Sequence, residues 1–96
     1  MAKCSVLCWQ EVPSLVEAKD GSGTHKVQLS ERFQELIDLV AMRRGLAGTD
    51  DYLTEWCKEP PQEREGSARQ AAEALAAEIE SRYEQIKADA LERSRQ

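Results

Sequence analysis

The first third of the chain alternates apolar and polar side chains with the period of a β-strand. In residues 3–10 one side carries Cys4, Val6 and Cys8, and the other side carries Ser5, Leu7 and Trp9. Residues 14–18 predict a second short strand after Pro13, and residues 25–29 predict a third with one polar face. Turn formers in residues 19–24 reverse the chain, and short connections favour antiparallel pairing. We therefore expect a three-stranded antiparallel meander.

Helical spacing replaces this alternation after Ser30, which is a suitable helix cap. The apolar positions that recur at this spacing are Phe33, Leu36, Ile37, Val40 and Ala41. Gly45 ends the predicted helix, and a second, short helix is predicted over residues 52–57, before Pro60. We expect the polar stretch 58–66 to be irregular.

Strong helix formers fill the C-terminal third of the chain, which contains no Gly or Pro between Ala68 and Ser94. Ser67 is the predicted cap, and the apolar stripe contains Ala71, Ala72, Leu75, Ile79, Ile86 and Ala90. A single helix over this stretch would be roughly 40 Å long, against a diameter of about 32 Å for a compact domain of this size. We therefore expect a single α+β domain at residues 1–83 and a projecting C-terminal helical extension, frayed at its end, at residues 84–96.

Together these elements predict an α+β fold, in which the three-stranded meander is followed by three helices packed on one face and the last helix is long. A length of 96 residues fits one domain. Hydrophobic residues make up 41% of the chain, too many for a disordered protein, and the apolar runs are far shorter than the roughly 20 residues that span a bilayer. The first residues lack a long apolar segment, so we expect a cytoplasmic location and no membrane partner.

Charge and cysteine content argue against two classes of function. The formal net charge is −5 and is spread evenly, so the chain lacks the basic face that nucleic-acid binding requires. Cys4, Cys8, Cys57 and His25 are the ligand types of a zinc site. However, Cys4 and Cys8 would lie about 13 Å apart on one strand, too far to share an ion. We therefore expect core cysteines, no metal and no cofactor.

The sequence offers no converging set of catalytic groups. The single histidine, His25, lies on a predicted strand face beside apolar residues. No Gly-x-Ser-x-Gly motif occurs, and the glycines at 21 and 23 precede a strand, which indicates a turn and not a phosphate loop. We therefore expect a protein that is not an enzyme.

Several segments, taken together, resemble a known family. They are Leu7-Cys8-Trp9 with Val12-Pro13, the stretch from Leu29 to Asp38, Asp51-Tyr52-Leu53 with Trp56, and Arg64-Glu65-Gly66-Ser67. Over roughly residues 3–80 the chain is similar to the small bacterial virulence factor domain family. This family is standalone in many bacteria and is similar to the C-terminal module of conserved virulence factor C, a longer protein with HEAT-like repeats. The resemblance implies no reaction, cofactor or active site. Arg32, Tyr52 and Trp56 match its motif positions, which implies either a binding surface or a structural role.

Large rigid side chains commonly anchor interfaces, and the chain has only five aromatic residues. Phe33 belongs to the predicted core, whereas Trp9 lies at a strand end and Trp56 beside an exposed linker. We therefore expect a non-enzymatic protein-interaction module of this family, whose candidate contacts are Trp9, Arg32, Tyr52, Trp56 and Ile86. Two alternatives stay open: an accessory or regulatory subunit of a metabolic enzyme, and a cysteine-based metal or thiol protein. The expected partner is another protein, and the chain itself is expected to be a monomer or a homodimer through its C-terminal helix.

Overall fold

A computed structural model describes residues 1–94 and contains an antiparallel sheet and four helices in that range. In chain order the elements are β1 (Ala2–Trp9), β2 (Val12–Asp20), β3 (Gly23–Gln28), α1 (Glu31–Arg43), α2 (Asp50–Thr54), β4 (Trp56–Lys58), β5 (Gln62–Arg64), α3 (Ala68–Ser81) and α4 (Tyr83–Arg93). The predicted α+β class is confirmed. The predicted counts of three strands and three helices are wrong, because the described residues form five strands and four helices.

The predicted meander forms the body of the sheet. β1 pairs antiparallel with β2, and β2 with β3. Asp20 fixes the turn between β2 and β3, because its carboxylate accepts hydrogen bonds from the backbone N–H groups of Ser22 and Gly23 at 2.7 and 3.1 Å. The same carboxylate accepts from the N–H of Ala68 at 2.7 Å, at the start of α3. Asp20 therefore joins the hairpin to the C-terminal helices.

The region after α1 differs most from the sequence-based expectation. The predicted short helix ends at Thr54, and Trp56 lies on β4 instead. The stretch expected to be irregular contributes β5, and both short strands pair antiparallel with the second edge of β1. Each strand has three residues, too few to show a periodic pattern. Pairing with the edge of β1, a tertiary contact, decides their structure.

One face of the sheet and the inner faces of α1 and α3 form the core. The strands contribute Cys4, Val6, Val16 and Ala18, α1 contributes Phe33, Leu36, Ile37 and Val40, and α3 contributes Ala71, Ala72 and Leu75. Both helices contact β2, and α3 also lies on β3. From Lys3 to Leu7 and from Leu15 to Lys19, alternate residues point the other way, and their side chains stay partly or fully exposed. The sheet therefore has one buried face and one open face.

The predicted long C-terminal helix is wrong, because the helix is interrupted at Arg82. This residue has φ −100° and ψ 7°, and a separate helix, α4, begins at Tyr83. α4 contacts α1, and Ala90 is fully buried, so the apolar stripe expected to project packs within the protein. The expected boundary at residue 84 falls inside α4. Residues 95–96 of the expected extension lie outside the described residues.

Arg44, which follows α1, holds the end of α4 in place. Its guanidinium donates hydrogen bonds to both carboxylate oxygens of Glu11, at 2.7 and 3.2 Å, and to the side-chain oxygen of Gln10. It also donates to the carbonyl oxygen of Ala90 at 3.2 Å and to the hydroxyl of Ser94 at 2.8 Å. One side chain therefore joins the turn between β1 and β2 to the ends of α1 and α4.

The contact with Arg44 lowers the pKa of Glu11. Burial raises the pKa of its carboxyl, but hydrogen bonds from Arg44 and from a backbone N–H, together with the charges of Arg44 and Arg93, outweigh burial and hold the pKa below its ordinary value.

Within residues 1–94, none of the helices combines the length and apolarity required to cross a bilayer.

Candidate functional site

Trp9, the first of the predicted contact residues, is part of the core. Its side chain is 0% exposed, and its ring packs on that of Tyr52 with 5.4 Å between centroids. The indole N–H donates to the carbonyl oxygen of Tyr52 at 2.9 Å. Trp9 therefore has no surface to offer a partner. It attaches α2 to the sheet instead.

Arg32 is engaged by other residues of the protein. Its guanidinium donates to Oε1 and to the carbonyl oxygen of Glu80, the shortest distance being 2.7 Å, and lies 4.3 Å from the centroid of the Tyr83 ring. The Glu80 carboxylate also accepts from the backbone N–H and the hydroxyl of Ser30, at 2.7 and 2.8 Å. Burial raises the pKa of Glu80, but these hydrogen bonds and the charge of Arg32 hold it below its ordinary value. These contacts fix the start of α1 on α3 and support the structural reading of Arg32.

Tyr52 and Trp56 form an edge-to-face pair, with 6.3 Å between ring centroids. Both are half-buried and pack against the core. Ile86 is also half-buried, but it lies on α4. The structure therefore brings Trp9, Tyr52 and Trp56 together, whereas Arg32 and Ile86 lie in other parts of the protein.

A groove beside Tyr52 was not anticipated from the sequence. It lies between the second half of α1 and the loop that leads to α2, and we call it the α1–α2 groove. Its volume is about 250 Å³, and it is lined by Asp38, Ala41, Met42, Ala47, Gly48 and Tyr52. Met42 at its edge is 68% exposed, as is Leu53, the residue after Tyr52. The sequence held a signal for this surface, because Met42 falls outside the apolar stripe predicted for the first helix.

One carboxylate lines this groove, and two more begin the helix that carries Tyr52. Asp38 lines the groove, and Asp50 and Asp51 form the first turn of α2. The hydroxyl of Thr49 accepts from the backbone N–H of Tyr52 and caps α2. Arg43, beside Met42, is the basic residue of the last turn of α1. Asp38 is the one charged residue among those that line the groove, so the lining carries a negative charge.

The three cysteines occupy two kinds of environment. Cys4 and Cys8 are buried, whereas Cys57 is exposed on β4 and lies opposite Cys8 in the register of the sheet. Burial, assisted by the negative charge of Glu59 and a hydrogen bond to it, raises the pKa of the Cys8 thiol to about 12. Burial also raises the pKa of Cys4. Among residues 1–94, no group of three or more His, Cys, Asp and Glu side chains is placed to hold a metal ion.

We expect one fast-reacting thiol per chain when the folded protein is treated with an aromatic disulfide reagent at pH 7.5. The thiolate is the reactive species, and both the burial and the raised pKa of Cys4 and Cys8 suppress it there. The remaining two thiols should react only after denaturation. The Cys57→Ser variant should lose the fast phase, and a fast phase of two thiols in the folded wild-type protein would contradict this assignment.

Comparison with known proteins agrees with the extent of the fold. A family model described as "Virulence factor" matches residues 7–91, from the middle of β1 to near the end of α4. No curated protein and no solved structure gives a significant match. Because the family model covers most of the chain, this protein belongs to the virulence factor family.

Proposed function

We propose that this protein is a non-enzymatic interaction module that binds a segment of a partner protein in the α1–α2 groove. The observation that carries the proposal is the exposure of two large apolar side chains: Met42, which lines the groove, and Leu53, the residue after the groove residue Tyr52. Burial of such a side chain contributes about 1.5–3 kcal/mol. Both side chains would therefore contribute to the free energy of binding when a partner covers them.

The rigidity of the groove supports this role. Tyr52 lines the groove, and its ring packs on the rings of both the buried Trp9 and Trp56. A side chain that is already fixed loses little conformational entropy when a partner binds. Tyrosine is also among the residues that most often dominate binding free energies at interfaces.

The size and charge of the groove indicate the chemistry of its occupant. Its volume of about 250 Å³ lies below the range of about 300–1,000 Å³ that is typical of small-molecule pockets. It suits one or two apolar side chains of a protein segment. Because Asp38 lines the groove, and Asp50 and Asp51 begin the helix that carries Tyr52, a lysine or arginine beside those apolar side chains would complement it.

Site-specific photocrosslinking in the native cells tests the proposal. A photoreactive benzoylphenylalanine at position 53 should crosslink one partner protein, whereas the same group at Ala74, exposed on α3, should not. The additional substitution Met42→Asp should abolish the crosslink, because it places a charge against the apolar occupant. Equal crosslinking at both positions, or a crosslink that is insensitive to Met42→Asp, would refute the proposed site. If the captured protein is a metabolic enzyme, its turnover with and without this chain tests the accessory-subunit alternative.

A further inference from the structure

The open face of the sheet concentrates positive charge in an acidic protein. Four of the five lysines of the chain, Lys3, Lys19, Lys26 and Lys58, lie on four different strands. Lys3 is opposite Lys19, Lys26 is opposite Glu17, and Lys58 is opposite Leu7. Because directly paired residues share a face of the sheet, all four side chains stand on the face that the helices leave open. We call this surface the lysine face.

One carboxylate, that of Glu17, lies within ion-pair distance of three of these four ammonium groups. The side chain of Glu17 is 14% exposed, and its oxygens lie 3.9, 3.7 and 3.5 Å from the Nζ atoms of Lys19, Lys26 and Lys58. Lys58 belongs to β4 and reaches Glu17 across β1. The β1 residue directly opposite Glu17 is the small Ser5. Three positive charges around one negative charge leave the centre of the lysine face with a positive surplus.

Lys3 adds to this surplus. It is directly opposite Lys19, and like charges in that position destabilise a sheet. Its neighbour on the other side is Glu63 of β5, but among residues 1–94 no carboxylate oxygen lies within ion-pair distance of Lys3. The lysine face therefore holds four ammonium groups against three carboxylates, those of Glu17, Glu59 and Glu63, in a chain whose net charge is −5. The repulsion between the directly opposite Lys3 and Lys19 does not stabilise the folded protein.

The lysine face is also concave. A depression of about 470 Å³ is lined by Ser5, Glu17 and three of the lysines on one side, and by Pro60 and Pro61 on the other. Glu59 borders it too, but its carboxylate accepts a hydrogen bond from the thiol of the buried Cys8 at 3.5 Å. The two prolines connect β4 to β5 and form a stiff wall.

We propose that the lysine face binds an acidic segment of a polypeptide. From Lys3 to Leu7 the strand extends about 13 Å, longer than a single phosphate or carboxylate group. At the far end of this distance Leu7 and Leu15 form a half-buried cross-strand pair. A segment with several Asp or Glu residues followed by an apolar residue matches this order of charge and apolar surface. This site is separate from the α1–α2 groove and does not depend on the function proposed there.

Fluorescence anisotropy with a labelled peptide of six glutamates and one leucine tests this site on the full chain. The wild-type protein should bind this peptide, and the binding should weaken as the NaCl concentration is raised. It should not bind a peptide in which glutamine replaces each glutamate. The double variant K3Q/K19Q should bind the peptide about tenfold or more weakly than the wild type. K87Q, which replaces the remaining lysine of the chain, located on α4, should leave binding unchanged. Glu17→Gln should strengthen binding, because it removes the internal competitor for the ammonium groups.

The same variants separate binding from folding. K3Q/K19Q should melt at or above the temperature of the wild type, because it relieves the repulsion between two directly opposite lysines. Unchanged peptide binding by K3Q/K19Q, weaker binding by Glu17→Gln, or equal binding of the glutamine peptide would overturn the proposal. Tighter binding to phosphatidylglycerol vesicles than to the acidic peptide would overturn it as well.

Discussion

Replacement of Trp9 by alanine is expected to lower the free energy of unfolding by about 3–5 kcal/mol, the usual cost of deleting a buried aromatic side chain. Trp9 is fully buried, its ring packs on Tyr52, and its N–H satisfies the carbonyl oxygen of that residue. α2 has only five residues, and helices of that length are not stable without tertiary contacts. The same substitution should therefore release α2 and remove the α1–α2 groove. Urea unfolding followed by circular dichroism measures the loss.

The Trp9→Phe variant serves as the matched control. It keeps most of the apolar surface but removes the indole N–H, so the Tyr52 carbonyl oxygen retains only the 3.4 Å hydrogen bond from the backbone N–H of Glu55. Loss of one such hydrogen bond costs about 0.5–1.5 kcal/mol. We expect this variant to fold and to remain measurable even where Trp9→Ala does not. A loss below about 1 kcal/mol for Trp9→Ala would contradict the core position of this residue.

Replacement of Arg44 by methionine is expected to lower the free energy of unfolding by about 2–4 kcal/mol, because it removes one partner of a largely buried ion pair. The side chains of Arg44 and Glu11 are only 17% and 26% exposed. The substitution also leaves the Ala90 carbonyl oxygen and the Ser94 hydroxyl without this donor, so α4 should lose protection in hydrogen exchange before α3 does. Arg43→Met, at the exposed neighbouring position, should change stability by less than about 0.5 kcal/mol.

The Arg44 variant should also change the pH dependence of stability. In the folded protein the pKa of Glu11 lies below its ordinary value, so the stability from its ionised form is fully present above a pH of about 4.3. This contribution is lost as the pH falls from there through the folded pKa. Arg44→Met should therefore lose less stability than the wild type between about pH 5 and pH 3. Equal losses in the two proteins would contradict the assigned role of Arg44.

Local pattern was sufficient to predict the meander and the start of the helices. The alternation in β1 and β2 and the Ser67 cap of α3 depend on residues that are close in the sequence. β4 and β5 were missed because three residues show no period, and they form only against the edge of β1. The interruption at Arg82 has no Gly or Pro to announce it. The contacts that hold α4 on α1 come from residues about half the chain away: Arg44 at the end of α4, and Arg32 and Phe33 at Tyr83.

The candidate surfaces were harder to predict, because they arise where distant segments meet. Trp9 was expected near the surface since it ends a strand, but α2 covers it. The lysine face requires the register of four strands, and one of them, β4, has no sequence signal. Met42 was visible as an apolar residue outside the predicted stripe of the first helix, yet the groove beside it forms only where the end of α1 meets the loop before α2 and Tyr52.

Native mass spectrometry of the chain, isolated gently from its own cells, tests whether the α1–α2 groove binds a partner protein. The wild-type chain should carry a second protein in a fixed stoichiometric ratio, and Met42→Asp should appear alone while keeping the circular dichroism spectrum of the wild type. K87Q, on α4 and outside the residues that line the groove, controls for a substitution elsewhere in the protein. A wild-type chain that appears alone, or a partner retained equally by Met42→Asp, would contradict the account.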